Sequence, residues 1–313
     1  MNMAKKIKYN YNIDYLKLCL NTPSDFFTEL AQQVDGAPIF YHNFFLFITD
    51  NGRGKDNDKT PIKISADLYL DEQNDEGKNV KMGTFTFFNS SKYDGRSFFE
   101  FDNKILYTPL TYKMGYISCF NYVLEQMNLQ INNLTKIDIS LDSTRNAEKD
   151  ILTKIKDKQS EMIYKGRVVA ENEILEDFGE FFQRKRAKRE RNATLYFQHK
   201  KSDGLSMKVY DKTKEIGQKS GKEYINESNQ FGKATAHRIE ISVKNEEFKK
   251  FLAHLVTDGG APHEELECLT NYQLATIINI LPQLFAYTTE KLLYFRSNGR
   301  KVTLVDIATG EAI

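Results

Sequence analysis

Thr194–Glu215 reads TLYFQHKKSDGLSMKVYDKTKE, and His237–Val243 reads HRIEISV. Both stretches alternate apolar and polar side chains with a period of two, as strands do when one face is buried. In the second stretch Ile239, Ile241 and Val243 fall on one face, with Arg238, Glu240 and Ser242 on the other. In the first, Tyr210 shares a face with Lys208 and Lys212, while Val209 and Asp211 face away. Tyr196 shares its face with Thr194 and Gln198. A third segment, KIDISLD (Lys136–Asp142), sets Asp138, Ser140 and Asp142 against Ile137, Ile139 and Leu141. These strands carry the chemistry-bearing residues of the chain.

Outward from them, periodicity predicts strands at Ile13–Leu20, Ile39–Ile48, Ile62–Leu70, Val80–Phe88 and Ser97–Phe101, with a helix from about Ser24 and another over Leu110–Met127. Later come one or two helices between Ala147 and Arg189, a helix at Glu246–Val256, and an apolar helix from about Asn271 to Phe295. The expected class is α+β, antiparallel sheets flanked by helices. Each half reads strand, helix, antiparallel strands, helix, which suggests a pseudo-duplicated unit. The expected boundaries are an N-terminal half at 1–130, a catalytic half at 131–257 and a C-terminal helical appendage at 258–313.

A chain of 313 residues, 40% hydrophobic and 28% charged, can bury a large core. No apolar run has the length of a membrane span and the N-terminus lacks a signal-peptide core, so the expected compartment is the cytoplasm. Cys19, Cys119 and Cys268 are far apart and make neither a disulfide framework nor a zinc cluster. No glycine-rich phosphate loop is present, which sets aside nucleotide-hydrolysing motors. The formal net charge is only +1, but RKRAKRER packs Arg184, Lys185, Arg186, Lys188, Arg189 and Arg191 against Glu190 alone, and Lys200 and Lys201 follow. So dense a run beside a tyrosine-bearing strand points to a phosphate backbone, where an isolated charge run reads as a solvated helix face.

Each constellation has two readings. Asp138 and Asp142 make the polar face of a half-buried strand, or they flank a hard cation, since same-face carboxylates on one strand stand roughly 6–7 Å apart. Glu240 pairs across the sheet, or it is a third ligand or a base. Arg238 does the same, or it steadies a phosphate. Each tyrosine is a packing residue, or a nucleophile; Tyr210, between Lys208 and Lys212, has cations placed to stabilise a phenolate. The five histidines contain no His-x-His pair, which argues against a nickase that holds its metal with one.

Five segments occur in one order: IDYLKLCL (Ile13–Leu20), TKIDISLDS (Thr135–Ser143), TLYFQHKKS (Thr194–Ser202), VYDKTKE (Val209–Glu215) and HRIEISV (His237–Val243). In this ordered set the chain resembles the Rep_trans family, rolling-circle plasmid replication initiators and the related relaxases of conjugative elements. The resemblance implies a sequence-specific single-strand nick at a replication or transfer origin, assisted by Mg²⁺ or Mn²⁺. Tyr210 would attack phosphorus and keep the 5′ phosphate as a phosphotyrosine, with Tyr196 as the reserve nucleophile. Asp138, Asp142 and Glu240 would bind the metal; Lys208, Lys212 and Arg238 would position the phosphate. The basic run would track the DNA, and a host helicase and a second copy of the chain are the implied protein partners. The rival reading is a DNA-binding initiator of the same fold that cuts nothing.

Overall fold

The structure is a computed structural model that describes residues 6–33, 36–50, 61–73, 77–89, 93, 95–169, 182–185, 194–198, 204–257 and 273–311. The fold is α+β, with antiparallel sheets flanked by helices. The chain divides into two units. One comprises Met1–Asp14, Ile137–Leu269 and Thr276–Ile313; the other comprises Tyr15–Lys136 and Thr270–Ala275. Two long strands, β1 (Tyr9–Asn21) and β7 (Gln130–Ser143), run through the boundary and lend part of their length to each.

In the unit built on Tyr15–Lys136, strands β2 (Pro38–Phe40), β3 (Phe44–Asp50), β4 (Lys63–Gln73), β5 (Asn79–Phe88) and β6 (Arg96–Phe101) form an antiparallel array ordered β1-β6-β5-β4-β3-β2. The segment expected as one strand at Ile39–Ile48 is two, because the chain turns at Tyr41–Asn43 and pairs Phe40 with Phe45. Alternation puts Leu46, Ile48, Ile64, Ala66, Leu68, Phe85, Phe87 and Phe99 on a buried face. Helices Ser24–Ala31 and Leu110–Gln126 pack there, with Phe26 against Phe87 at 5.3 Å and Phe120 against Phe99 at 4.5 Å. Each fully buried Leu, Ile or Phe here contributes about 1.5–3 kcal/mol by leaving water.

In the other unit β10 (Phe182–Lys185), β11 (Thr194–Gln198), β12 (Leu205–Asp211) and β13 (His237–Lys244) continue to β7 and β1 in the order β10-β11-β12-β13-β7-β1. Leu195, Phe197, Met207, Val209, Ile239, Ile241, Ile137, Ile139 and Leu141 are buried on one face, as the alternation predicts. Helices Ala147–Lys156, Asn245–Thr257 and Leu281–Leu292 pack in this unit.

Two expectations are corrected. The stretch after Lys156 is not further helix: β8 (Ser160–Tyr164) and β9 (Arg167–Val169) make a hairpin through Gly166, whose φ of 76° suits glycine. The helix expected over Asn271–Phe295 is, in its described part, helices Leu274–Asn279 and Leu281–Leu292, and the chain then turns into β14 (Leu293–Ser297) and β15 (Arg300–Val302). β14 pairs with β8 in a second sheet ordered β15-β14-β8-β9, so the segment expected as an appendage is woven into this unit.

Candidate active site

β12, β13 and β7 bring their polar faces together. Register pairs Lys208 with Glu240 and Tyr210 with Arg238 across β12 and β13. The Tyr210 hydroxyl donates to Oε2 of Glu240 at 2.6 Å, and Lys208 Nζ lies 2.6 Å from its Oε1. Glu240 is 3% exposed, so both its oxygens are spent on these two partners in a site with little water. Ser242, next along the same face, donates to Asp138 Oδ1.

Behind this pair sits a buried ion cluster. Arg238 is fully buried; its Nε and Nη2 reach Oδ1 and Oδ2 of Asp142 at 2.6 and 2.7 Å, and its Nη1 reaches Asp14 Oδ1 at 2.7 Å. Asp142 Oδ2 also accepts from Asn229 Nδ2 at 2.8 Å and Asn12 Nδ2 at 3.1 Å. A carboxylate with no solvent exposure survives only when its lone pairs are filled this way. The fork of Arg238 is the shape that fills both oxygens at once.

Local chain geometry explains how these groups arrive. β12 begins after Gly204, where an added Cβ would stand 2.4 Å from Glu247 Cγ. It ends at Asp211, whose Oδ1 accepts from Lys214 N at 2.8 Å and caps the short helix Lys212–Glu215. Lys212 is therefore helical, where the alternation had placed it on the strand, yet its Nζ still lies 5.7 Å from the Tyr210 ring centroid and 2.9 Å from Glu215 Oε2. Helix Tyr224–Asn229 delivers Asn229 and stops at Gln230 in the left-handed region. On the apolar side, His237 Nδ1 meets Glu148 Oε2 at 2.7 Å and ties the start of β13 to helix Ala147–Lys156.

The charges shift the site's titrations. Burial pushes the Tyr210 hydroxyl well above the ordinary 10.0, against the pull of Arg238, and Glu240 and Asp14 push the same way. Tyr210 therefore rests protonated and needs a base to become a nucleophile. Burial and then Arg238 pull the Lys212 ammonium below the ordinary lysine value, although Asp14 and Glu215 oppose them. For Lys208, burial works downward, but Glu240, with Asp138 and Asp14, leaves it raised.

Measured against the sequence, the structure gathers Tyr210, Lys208, Lys212, Arg238, Glu240 and Asp142. Tyr196 is half-buried on β11, in register with Lys208, one strand farther from Glu240 than Tyr210 is. Arg238 does not face solvent and cannot itself grip a phosphate, because its guanidinium is spent on Asp142 and Asp14. Nor do Asp138, Asp142 and Glu240 make a cation cage: Asp142 is filled by Arg238 and two asparagines, Glu240 by Lys208 and Tyr210, and Asp138 holds Ser242. Among the described residues no group of three His, Cys, Asp or Glu side chains is placed to hold a metal ion. Arg184 and Lys185 lie on β10; Arg186, Lys188, Arg189, Arg191, Lys200 and Lys201 lie outside the described residues.

Sequence reasoning missed Asp14, Asn12, Asn229 and Glu148. The alternation of YNYNIDY held the first signal, since Asn10, Asn12 and Asp14 share a face there. No local pattern marks Asn229 or Glu148. Among the described residues no helix is long and apolar enough to cross a membrane. No protein-family model matches the chain, and a search of characterised proteins finds no match.

Proposed function

We propose that the chain nicks and rejoins single-stranded DNA at a replication or transfer origin, with Tyr210 as nucleophile. The observation that carries the reading is the 2.6 Å hydrogen bond from Tyr210 to Glu240, set between the cations Lys208 and Lys212. A hydroxyl on a carboxylate, flanked by positive charge, is a nucleophile–base pair ready for a phosphodiester.

Tyr210 Oη bonds to phosphorus while its proton passes to Glu240 Oε2. The P–O3′ bond breaks, and the released O3′ takes a proton from Lys212, whose lowered pKa makes it a better acid than ordinary lysine. A 5′-phosphotyrosine and a free 3′-hydroxyl result, and reversal rejoins the strand. Lys208, half-exposed, draws the phosphate oxygens inward, and Arg238 holds Asp14 and Asp142 in register behind the site.

The test is covalent capture. Purified protein is incubated with supercoiled DNA carrying its own gene and flanks, with Mn²⁺ or with EDTA. An SDS-resistant adduct that disappears in Tyr210→Phe supports the reading, and the EDTA arm reads the metal dependence implied by the resemblance. Tight, salt-sensitive binding without any adduct would leave the rival, an initiator that binds and does not cut.

A further inference from the structure

The unit built on Tyr15–Lys136 has a second face that differs from its core. Helices Ser24–Ala31 and Leu110–Gln126 pack on its sheet on the side of Phe87 and Phe99. The opposite side carries aromatic rings that remain partly open to solvent. One cross-strand row runs Phe40, Phe45, Tyr69, Lys81 over β2 to β5. Phe40 is 72% exposed and its ring lies 5.6 Å from Phe45. Phe45 and Tyr69 stack at 5.2 Å with their planes 10° apart. Toward β6, Phe88 meets Phe98 edge to face at 5.9 Å, and register places Lys63 opposite Phe88.

Cations are interleaved with these rings. Lys17 Nζ stands 5.4 Å from the Phe98 centroid, and Lys136 Nζ stands 4.6 Å from that of Tyr15. With Lys63, Lys81 and Arg96 these make five cations, set among the carboxylates Asp50, Asp67, Asp71 and Glu100 of β3, β4 and β6. Lys81 is tied to Asp67 at 2.7 Å, and Lys17 lies 3.9 Å from Glu100.

Open aromatic clusters on a folded surface mark a partner site. Which partner is decided by charge. Protein–protein interfaces shed lysine from their cores, and here lysines sit among the rings. A single nucleic-acid strand needs this combination: flat rings for its bases and interspersed cations for its phosphates.

We infer that this face is a stacking platform for a single strand of DNA, with bases on Phe45, Tyr69 and Phe98 and phosphates drawn by Lys17, Lys63 and Lys136. That the strand is DNA rests on the nicking function proposed above; the stacking itself does not depend on Tyr210.

The experiment is fluorescence anisotropy of the full chain with a short fluorescein-labelled oligothymidylate, repeated with oligouridylate. Tyr69→Ala and Phe45→Ala are each expected to weaken oligothymidylate binding about tenfold, within the range base stacking contributes. Lys63→Glu, at an exposed position, is expected to weaken binding and flatten its salt dependence. Tyr210→Phe should bind like the parent, so loss of nicking and loss of the platform are read separately. Photocrosslinking with 5-iododeoxyuridine should map to Tyr69 or Phe98. Unchanged affinity in all three platform variants, with crosslinks elsewhere, overturns the inference. So does an oligouridylate bound tenfold more tightly than oligothymidylate. A parent dimer that dissociates in Tyr69→Ala while oligonucleotide binding persists also overturns it, and assigns the face to self-association.

Discussion

Arg238 holds Asp142 with two parallel hydrogen bonds, Nε to Oδ1 at 2.6 Å and Nη2 to Oδ2 at 2.7 Å, and neither side chain has any solvent exposure. Removing one partner strands a buried charge. Asp142→Asn should therefore destabilise the protein by about 3–5 kcal/mol. Urea unfolding checks this. Replacing both residues with apolar ones should cost less than the sum of the single changes, and an additive result would mean that the pair is not coupled.

Tyr210→Phe and Tyr196→Phe separate the two candidate nucleophiles. Tyr210→Phe should abolish the covalent adduct while lowering stability by only about 1 kcal/mol, the value of one hydrogen bond, because Lys208 still engages Glu240. Tyr196→Phe should leave adduct formation intact. The reverse outcome would move the chemistry to β11.

Lys212 sets an alkaline limit. Its pKa is lowered in the folded protein, so the ammonium that protonates O3′ is lost as pH rises through a value below the ordinary 10.5. Single-turnover cleavage should fall along that limb. In Lys212→Arg, whose guanidinium stays protonated, the limb should vanish from the measurable range, even if the rate at neutral pH drops. An alkaline limb unchanged by Lys212→Arg would assign the acid to another group.

Gly83 tests the unit built on Tyr15–Lys136 alone. An added Cβ would sit 2.3 Å from the Glu100 carbonyl oxygen and 2.6 Å from Phe99 Cζ. Backbone cannot yield as a flexible side chain does, so Gly83→Ala should cost about 1–3 kcal/mol or more. Thermal unfolding with probes placed in each unit should show the loss in this one first.

Much of the strand layout was legible because it follows from a period of two. β5 and β6 begin and end within a residue of expectation, and the buried and polar faces of β7 and β13 fall where KIDISLD and HRIEISV place them. The hairpin at Ser160–Val169 was illegible: its apolar residues, Met162, Ile163, Tyr164, Val168 and Val169, come in two short runs without a period-two alternation. It is a strand because β14, more than a hundred residues later, supplies its partner.

By itself, the sequence determined the α+β class, the polar face shared by Tyr210 and Lys208, and the row of Arg238 and Glu240, since alternation along a strand is a local property of the pleat. What only the tertiary structure decided is how those polar groups are spent. Asp142 serves Arg238 and two asparagines, Asp14 joins them, and Lys212 turns onto a helix while staying beside Tyr210. The partners come from β1, β7, β13 and helix Tyr224–Asn229, as far apart as 224 residues for Asp14 and Arg238. A buried charge selects its partners by distance and burial, which are properties of the packed sheet and of no single segment.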